Sequence, residues 1–214
     1  LSSIEFLKNN SIAIQIKSLI SLSLYLVKSW GFRKAKTNDW FDDNNIFICS
    51  YFDNIDLEEA KHGTFKSLYW GKLHTLLRAN DIKENWLHIF VPSELVSSSS
   101  DAVSLTDKFN SKKNNQSFHT FVGSFITLGI VVNIIQSWIW LIKKYFVLRN
   151  VKKNFVPNGS NFSLWPLFEM DWKNSIFGPV AINNLLFLNI FDKIFKEIPY
   201  QKKGLFLGEN HAWE

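Results

Sequence analysis

The sequence predicts an α/β fold, with a Rossmann-like parallel sheet of three or four strands flanked by helices and a long apolar helix at about residues 117–148. Three observations lead there. The runs Ile46-Phe47-Ile48-Cys49-Ser50-Tyr51-Phe52 and Trp86-Leu87-His88-Ile89-Phe90-Val91 are near-continuously apolar and of strand length, which suits strands covered on both faces of a parallel sheet. Between them Tyr69, Leu73, Leu76 and Leu77 keep helical spacing, so the order strand, helix, strand predicts a parallel crossover. At 214 residues the chain is also long enough to bury a core of its own.

Composition narrows the function classes. The formal net charge of +5 is compatible with anionic partners such as phosphosugars, nucleotides or a lipid surface. Without a concentrated basic patch it does not predict nucleic-acid binding. Cys49 is the single cysteine and lies inside an apolar run, so it reads as a buried thiol in a reducing compartment, with no disulfide framework or zinc site available. The N-terminal apolar stretch lacks a basic leader and a small-residue cleavage site, so no secretory signal is expected. The chain starts at Leu1, and Met170 is its one methionine, which leads to the expectation of a piece of a longer reading frame.

Ile12, Ile16, Leu19, Ile20, Leu24 and Val27 predict a first helix, stopped at Gly31. Lys28, Arg33, Lys34 and Lys36 crowd its C-terminal end, where cations suit the helix dipole. Residues 1–45 are expected to form this helix and a linker, and residues 46–214 the α/β domain. After the two strands, residues 93–116 read as a short helix around Val103 to Phe109 between two loops that hold four consecutive serines and Asn114-Asn115.

No charged residue occurs from Thr120 through Ile142, and Lys143, Lys144 and Arg149 follow, as in a membrane span with positives behind it. A single span here would put the strands before it and the strand after it on opposite sides of a bilayer. Asn133, Gln136 and Ser137 also share a helical face. The expectation is therefore a long helix that packs in the core or lies against a membrane surface. Further on, a weak strand at 153–156, a turn at Pro157-Asn158-Gly159 and an aromatic segment at 162–168 precede a strong helix opened by Gly178-Pro179 and closed by Pro199. Gly204-Leu205-Phe206-Leu207 is the last expected strand.

Dinucleotide-binding, phosphate-cradling, zinc-protease and nucleophile-elbow motifs are absent. What remains is polar residues placed just after parallel strands, where an open sheet keeps its ligand crevice. Asp53, Asn54 and Asp56 follow the first strand, and Glu209, Asn210 and His211 follow the last. Asp53 and Asp56 suit a base or a binder of sugar hydroxyls, or else the cap of the next helix. Glu209 suits a general base or nucleophile in acyl or glycosyl transfer, or a helix-capping role. His88, inside a strand, reads as a satisfied core histidine. Tyr69, Trp70 and Trp213 offer flat faces for a pyranose, or core packing. No metal site is expected.

The run 51–56, the step Tyr69-Trp70-Gly71, Asn85-Trp86-Leu87-His88-Ile89, Leu164-Trp165-Pro166-Leu167 with Asp171-Trp172, Gly178-Pro179, and Gly204-Leu205 through Glu209-Asn210 with Ala212-Trp213-Glu214 together resemble bacterial surface carbohydrate biosynthesis proteins. These resemble glycosyltransferases of the GT-B architecture, including Kdo transferases, and the resemblance spans about residues 46–214. It implies an N-terminal, acceptor-side domain, with the nucleotide-sugar domain beyond Glu214 and no activity in the isolated piece. It further implies transfer from a nucleotide-sugar donor, without another cofactor, to a glycan or lipid-linked acceptor, in the bacterial cytoplasm or at the inner face of its membrane. On this reading Glu209 and Asp53 are catalytic, and Asn54, Asp56, Tyr69, Trp70, Asn210 and His211 bind substrate. Peripheral membrane contact through 120–142 fits either this enzyme or a non-catalytic assembly protein of the same pathway. Gly208 and His211 depart from the polar residues of the family pattern.

Overall fold

The computed structural model describes residues 11–41, 45–53, 55–94, 96–111 and 116–207, with Arg149 by its backbone alone. It shows an α/β fold with a four-stranded, all-parallel sheet and long apolar helices. The chain divides into two compact units. An α/β unit takes residues 27–126 and the segment from Ile190, and a helical unit takes the first helix up to Leu26 and residues 127–189. Residues 27–41 and Asn45, the later part of the expected N-terminal helix and linker at 1–45, fall in the α/β unit.

In the α/β unit, β1 (Ile46–Tyr51), β2 (Glu84–Ile89), β3 (Ser117–Phe121) and β4 (Lys203–Phe206) lie in the order β3-β2-β1-β4. β1 and β2 pair from Ile46↔Glu84 to Tyr51↔Ile89, and β2 pairs with β3 from Glu84↔Ser117 to His88↔Phe121. Every residue of β2 is buried, as a central strand with both faces covered requires. Ile48, Trp86 and Phe121 share one face with Phe32, Phe52, Phe65, Val103 and Phe109. On the other face Phe47 meets the rings of Trp40 and Phe195. Asn85 also points there. It donates to the Phe41 carbonyl at 2.7 Å and to Gln201 Oε1 at 2.8 Å, and accepts from the Phe41 amide at 2.9 Å, so one buried amide ties two loops to the sheet.

Among the described residues three α-helices belong wholly to this unit, α2 (Leu57–Lys61), α3 (Leu73–Ala79) and α4 (Ser99–Asn110), with 3-10 helices over Trp30–Lys34 and Val122–Phe125. The serine run is loop only in its first half: Ser99 and Ser100 open α4, and Ser98 caps it by accepting from the Asp101 amide at 3.2 Å. β3 is an edge strand that sequence periodicity assigned to the long helix. Asn110 clamps its backbone, donating to the His119 carbonyl and accepting from the His119 amide, both at 2.9 Å, which satisfies groups an edge leaves open.

The helical unit contains most of α1 (Ser11–Lys28), all of α5 (Leu128–Val147), a 3-10 helix over Leu148–Phe155, α6 (Trp165–Phe177) and the first part of α7 (Pro179–Glu197). The long apolar helix thus starts at Leu128, capped by Thr127, and the expected weak strand at 153–156 is the end of a 3-10 helix. Ile14, Ile176 and Phe177 form a small core with Leu141, Ile142, Tyr145, Met170 and Trp172. The Phe177 carbonyl, at the end of α6, accepts from Ser18 Oγ at 3.0 Å and Trp138 Nε1 at 3.2 Å. A Cβ at Gly178 would come within 2.5 Å of Asn174 Cα, so the 42° bend between α6 and α7 is built on a glycine.

Candidate functional site

In an open parallel sheet the ligand crevice lies outside the carboxyl ends of the strands, at the point where strand order reverses. That point is the boundary between β1 and β4, since β2 and β3 extend the sheet on one side of β1 and β4 lies on the other. The strands run parallel from Ile46↔Lys203 to Cys49↔Phe206, and the Leu207 amide donates to the Cys49 carbonyl at 3.0 Å. The carboxyl ends of β2 and β3 are filled instead. Phe32 stacks on Phe121 at 4.6 Å and meets Phe90 edge-on at 5.3 Å. A Cβ at Gly123 would lie 2.5 Å from the Phe32 ring.

Asp53 is half-buried in the bend that leaves β1, and its carbonyl accepts from the Ile55 amide at 3.2 Å. It therefore sits at the β1 side of the reversal point. Asn54, Glu209, Asn210, His211 and Trp213 lie outside the described residues. Asp56 is the N-cap of α2: Oδ1 accepts from the Glu58 and Glu59 amides at 3.1 and 3.3 Å, and Oδ2 pairs with Lys66 Nζ at 2.8 Å. The Lys66 hydrogen bond is the main reason its carboxyl is held below the usual range, and the Glu59 amide adds to it. Both oxygens are thus engaged in the cap and the ion pair.

Trp70 donates from Nε1 to Ser50 Oγ at 3.0 Å, which brings its indole over the last turn of pleat in β1. Tyr69, 58% exposed, presents its ring to solvent with its centroid 6.1 Å from Trp70. The geometry thus brings Asp53 and Trp70 to the same end of β1, while Tyr69 remains a surface ring beside them.

Across β2 and β3, on the sheet face of Ile48, runs a buried polar seam of which the sequence reading singles out His88 alone. Glu84 Oε2 accepts from Trp86 Nε1 at 2.6 Å and from His74 Nδ1 at 3.0 Å. The Ser67 amide donates to His74 Nε2 at 3.3 Å, which fixes the proton of that ring on Nδ1. His88 Nε2 lies 3.1 Å from His119 Nδ1, and His119 Nε2 lies 2.9 Å from Ser117 Oγ. Among the described residues His88 Nδ1 has no hydrogen-bond partner, so the arrangement assigns the His88 proton to Nε2, donated to His119, which donates in turn to Ser117.

The two rings stack with an interplanar angle of 2°, and both residues are fully buried. Burial pushes His88 down to about 3, with His74 adding to it, and pushes His119 well below its ordinary value. Neutral rings closed off from solvent cannot exchange protons with a substrate, so this seam holds the strands in register. The signal that would have found it is the alternation of Glu84, Trp86 and His88, matched by Ser117, His119 and Phe121 two residues apart on the neighbouring strand.

The helical unit holds a second surface of interest. Gln136, Ser137, Trp140, Leu141 and Leu185 line an open groove of about 480 Å³. Lys144 Nζ stands 5.0 Å from the centre of the Trp140 ring. Among the described residues no group of three or more His, Cys, Asp or Glu side chains is placed to hold a metal ion. No protein-family model matches this chain, and no curated protein or solved structure is similar enough to serve as a relative.

Proposed function

We propose that this chain is the acceptor-side part of a glycosyltransferase-like protein in bacterial cell-surface polysaccharide assembly. It would work at the inner face of the membrane with a nucleotide sugar as donor. The observation that supports it most directly is the strand reversal between β1 and β4, which puts Asp53 at the edge where β4 hands the chain on toward Glu209. A carboxylate at such an edge is suited to take a proton from an acceptor hydroxyl, and Trp70 and Tyr69 offer faces for a sugar ring. Glu209 is the second carboxylate of the proposal, with Asn54, Asn210 and His211 as hydrogen-bonding groups. Asp56 supports the loop as a helix cap.

Thermal melting of the protein, titrated with lipid-linked oligosaccharides and separately with nucleotide sugars, tests this reading. A saturable upward shift with the oligosaccharide is expected, and Asp53→Ala should weaken it about tenfold, the loss of one good hydrogen bond. If Asp53→Ala and Glu209→Ala both leave the titration unchanged, the site assignment is wrong. A non-catalytic assembly protein of the same pathway is the second reading. It draws on the outward-facing apolar residues of α1 and α5 and predicts no saturable shift with either class of sugar.

A further inference from the structure

The helices of the helical unit turn apolar residues outward. In α1 the buried positions are Ile14, Ser18 and Leu22, one of them a serine. The outward stripe is Ile12, Ile16, Leu19, Ile20, Leu24 and Val27, each between 43% and 70% exposed. In α5 the buried row is Ile130, Ile134 and Trp138, while Leu128, Val132, Ile139, Trp140, Phe146 and Val147 are 45% to 80% exposed. A helix that faces only water places its apolar stripe inward, so both helices carry a surface suited to an apolar medium.

The charge pattern says which medium. Lys143, Lys144, Lys152 and Lys153 are exposed within and just after the C-terminal turns of α5, and Arg149 falls between them in sequence. No Asp or Glu occurs from residue 108 to residue 168. A basic segment without acids, joined to exposed tryptophan, phenylalanine and valine, matches the boundary between acyl chains and anionic headgroups.

The sheet limits how such a contact is made. β3 and β4 belong to one sheet, so the chain between Phe121 and Lys203 crosses a bilayer an even number of times. α1 and α5 are long and apolar enough to cross by length and composition, and α6 with α7 would form a bent return. That return is poorly built for the purpose. Ile190 and Ile194 in α7 are fully buried and Phe195 packs on Phe47 in the α/β unit, which leaves residues 179–189, roughly 16 Å of helix against an apolar thickness of about 30 Å. The remaining length must come from α6, across the 42° bend, and α6 carries Glu169, Asp171 and Lys173.

We propose that the helical unit docks on an anionic phospholipid leaflet, with no crossing between Phe121 and Lys203. The outward stripes of α1 and α5 enter the acyl boundary, and Lys143, Lys144, Lys152 and Lys153 contact the headgroups. The proposal does not rest on the transferase reading, and its test uses no sugar, so the two fail separately.

The test is flotation of the protein with phosphatidylcholine vesicles, with and without phosphatidylglycerol. Phosphatidylglycerol should increase binding at least about tenfold, added salt should reverse the gain, and replacing the four lysines by glutamine should remove it. Ile16→Gln with Ile20→Gln and Trp140→Gln should lower binding to both kinds of vesicle. With the protein added from outside, Asn158→Cys and Lys61→Cys should both react with a membrane-impermeant maleimide while bound, and Cys49, fully buried, contributes no background. Binding that ignores phosphatidylglycerol, no binding at all, or protection of Asn158→Cys each overturns the proposal.

Discussion

His88 and His119 show how much a single buried ring depends on its neighbours. Burial, with the neighbouring histidines adding to it, holds both well below the ordinary imidazole range in the folded chain, whereas an unfolded histidine titrates near 6.5. For His88, between pH about 3 and about 6.5, the unfolded chain therefore binds more protons than the folded one, and His119, held well below its ordinary value, acts in the same direction. The stability from these rings is fully present above about 6.5 and is lost as pH falls below it. Denaturant midpoints should fall from pH 7 to pH 5, and the fall should flatten in a His88→Gln/His119→Gln variant that is less stable at pH 7. Imidazole proton resonances give the direct check: those of His88 and His119, assigned through the glutamine variants, should stay unshifted through pH 6.5, and titration of either ring near 6.5 would place it in water.

At the scale of elements, capping and close approach explain what periodicity alone missed. Asp56 was legible as either a ligand or a cap, and the two backbone amides within reach decide for the cap. α6 was hidden because Trp165-Pro166 reads as an aromatic break, yet proline in the first turn of a helix satisfies its own constraints. β3 was hidden because its five residues run into an uncharged stretch that continues to Ile142, and a short strand buried on both faces has no distinctive period. Gly31 was read as a helix stop, and its role is steric. A Cβ there would lie 2.6 Å from the Ser100 nitrogen and from Ser99 Oγ, which accepts the Gly31 amide at 3.2 Å. Gly31→Ala should therefore lower stability by about 1–3 kcal/mol, read from denaturant unfolding, by forcing the start of α4 away. A variant as stable as the parent would show that this contact is loose.

Across the whole molecule, strand order decides which parts open last. β1 and β2 are central, and β3 and β4 are edges, with β4 short and largely exposed. Hydrogen exchange should be slowest at the amides of β1 and β2 and faster in β4, with β3 between them because Asn110 clamps its outer edge. Equal protection in β4 and β1 would contradict this order. The sheet is closed only when a segment more than a hundred residues after β1 returns to pair with it. For that reason the α/β unit is discontinuous in sequence, and no composition change near residue 45 marks its edge.

What the amino-acid sequence determines by itself is local: buried strands at Ile46 and Trp86, a first helix from Ile12, a long apolar helix through the uncharged stretch that ends at Ile142, a helix from Pro179, and from these the α/β class with its apolar helices. Those follow from the spacing of apolar residues, which acts over a turn or a pleat. Tertiary structure decided the neighbours of β1, the pairing of His88 with His119, and the outward direction of the Ile16, Ile20 and Leu24 stripe. Each depends on which distant segment covers a given face, and a local period is the same whether that face meets a core, a bilayer or water.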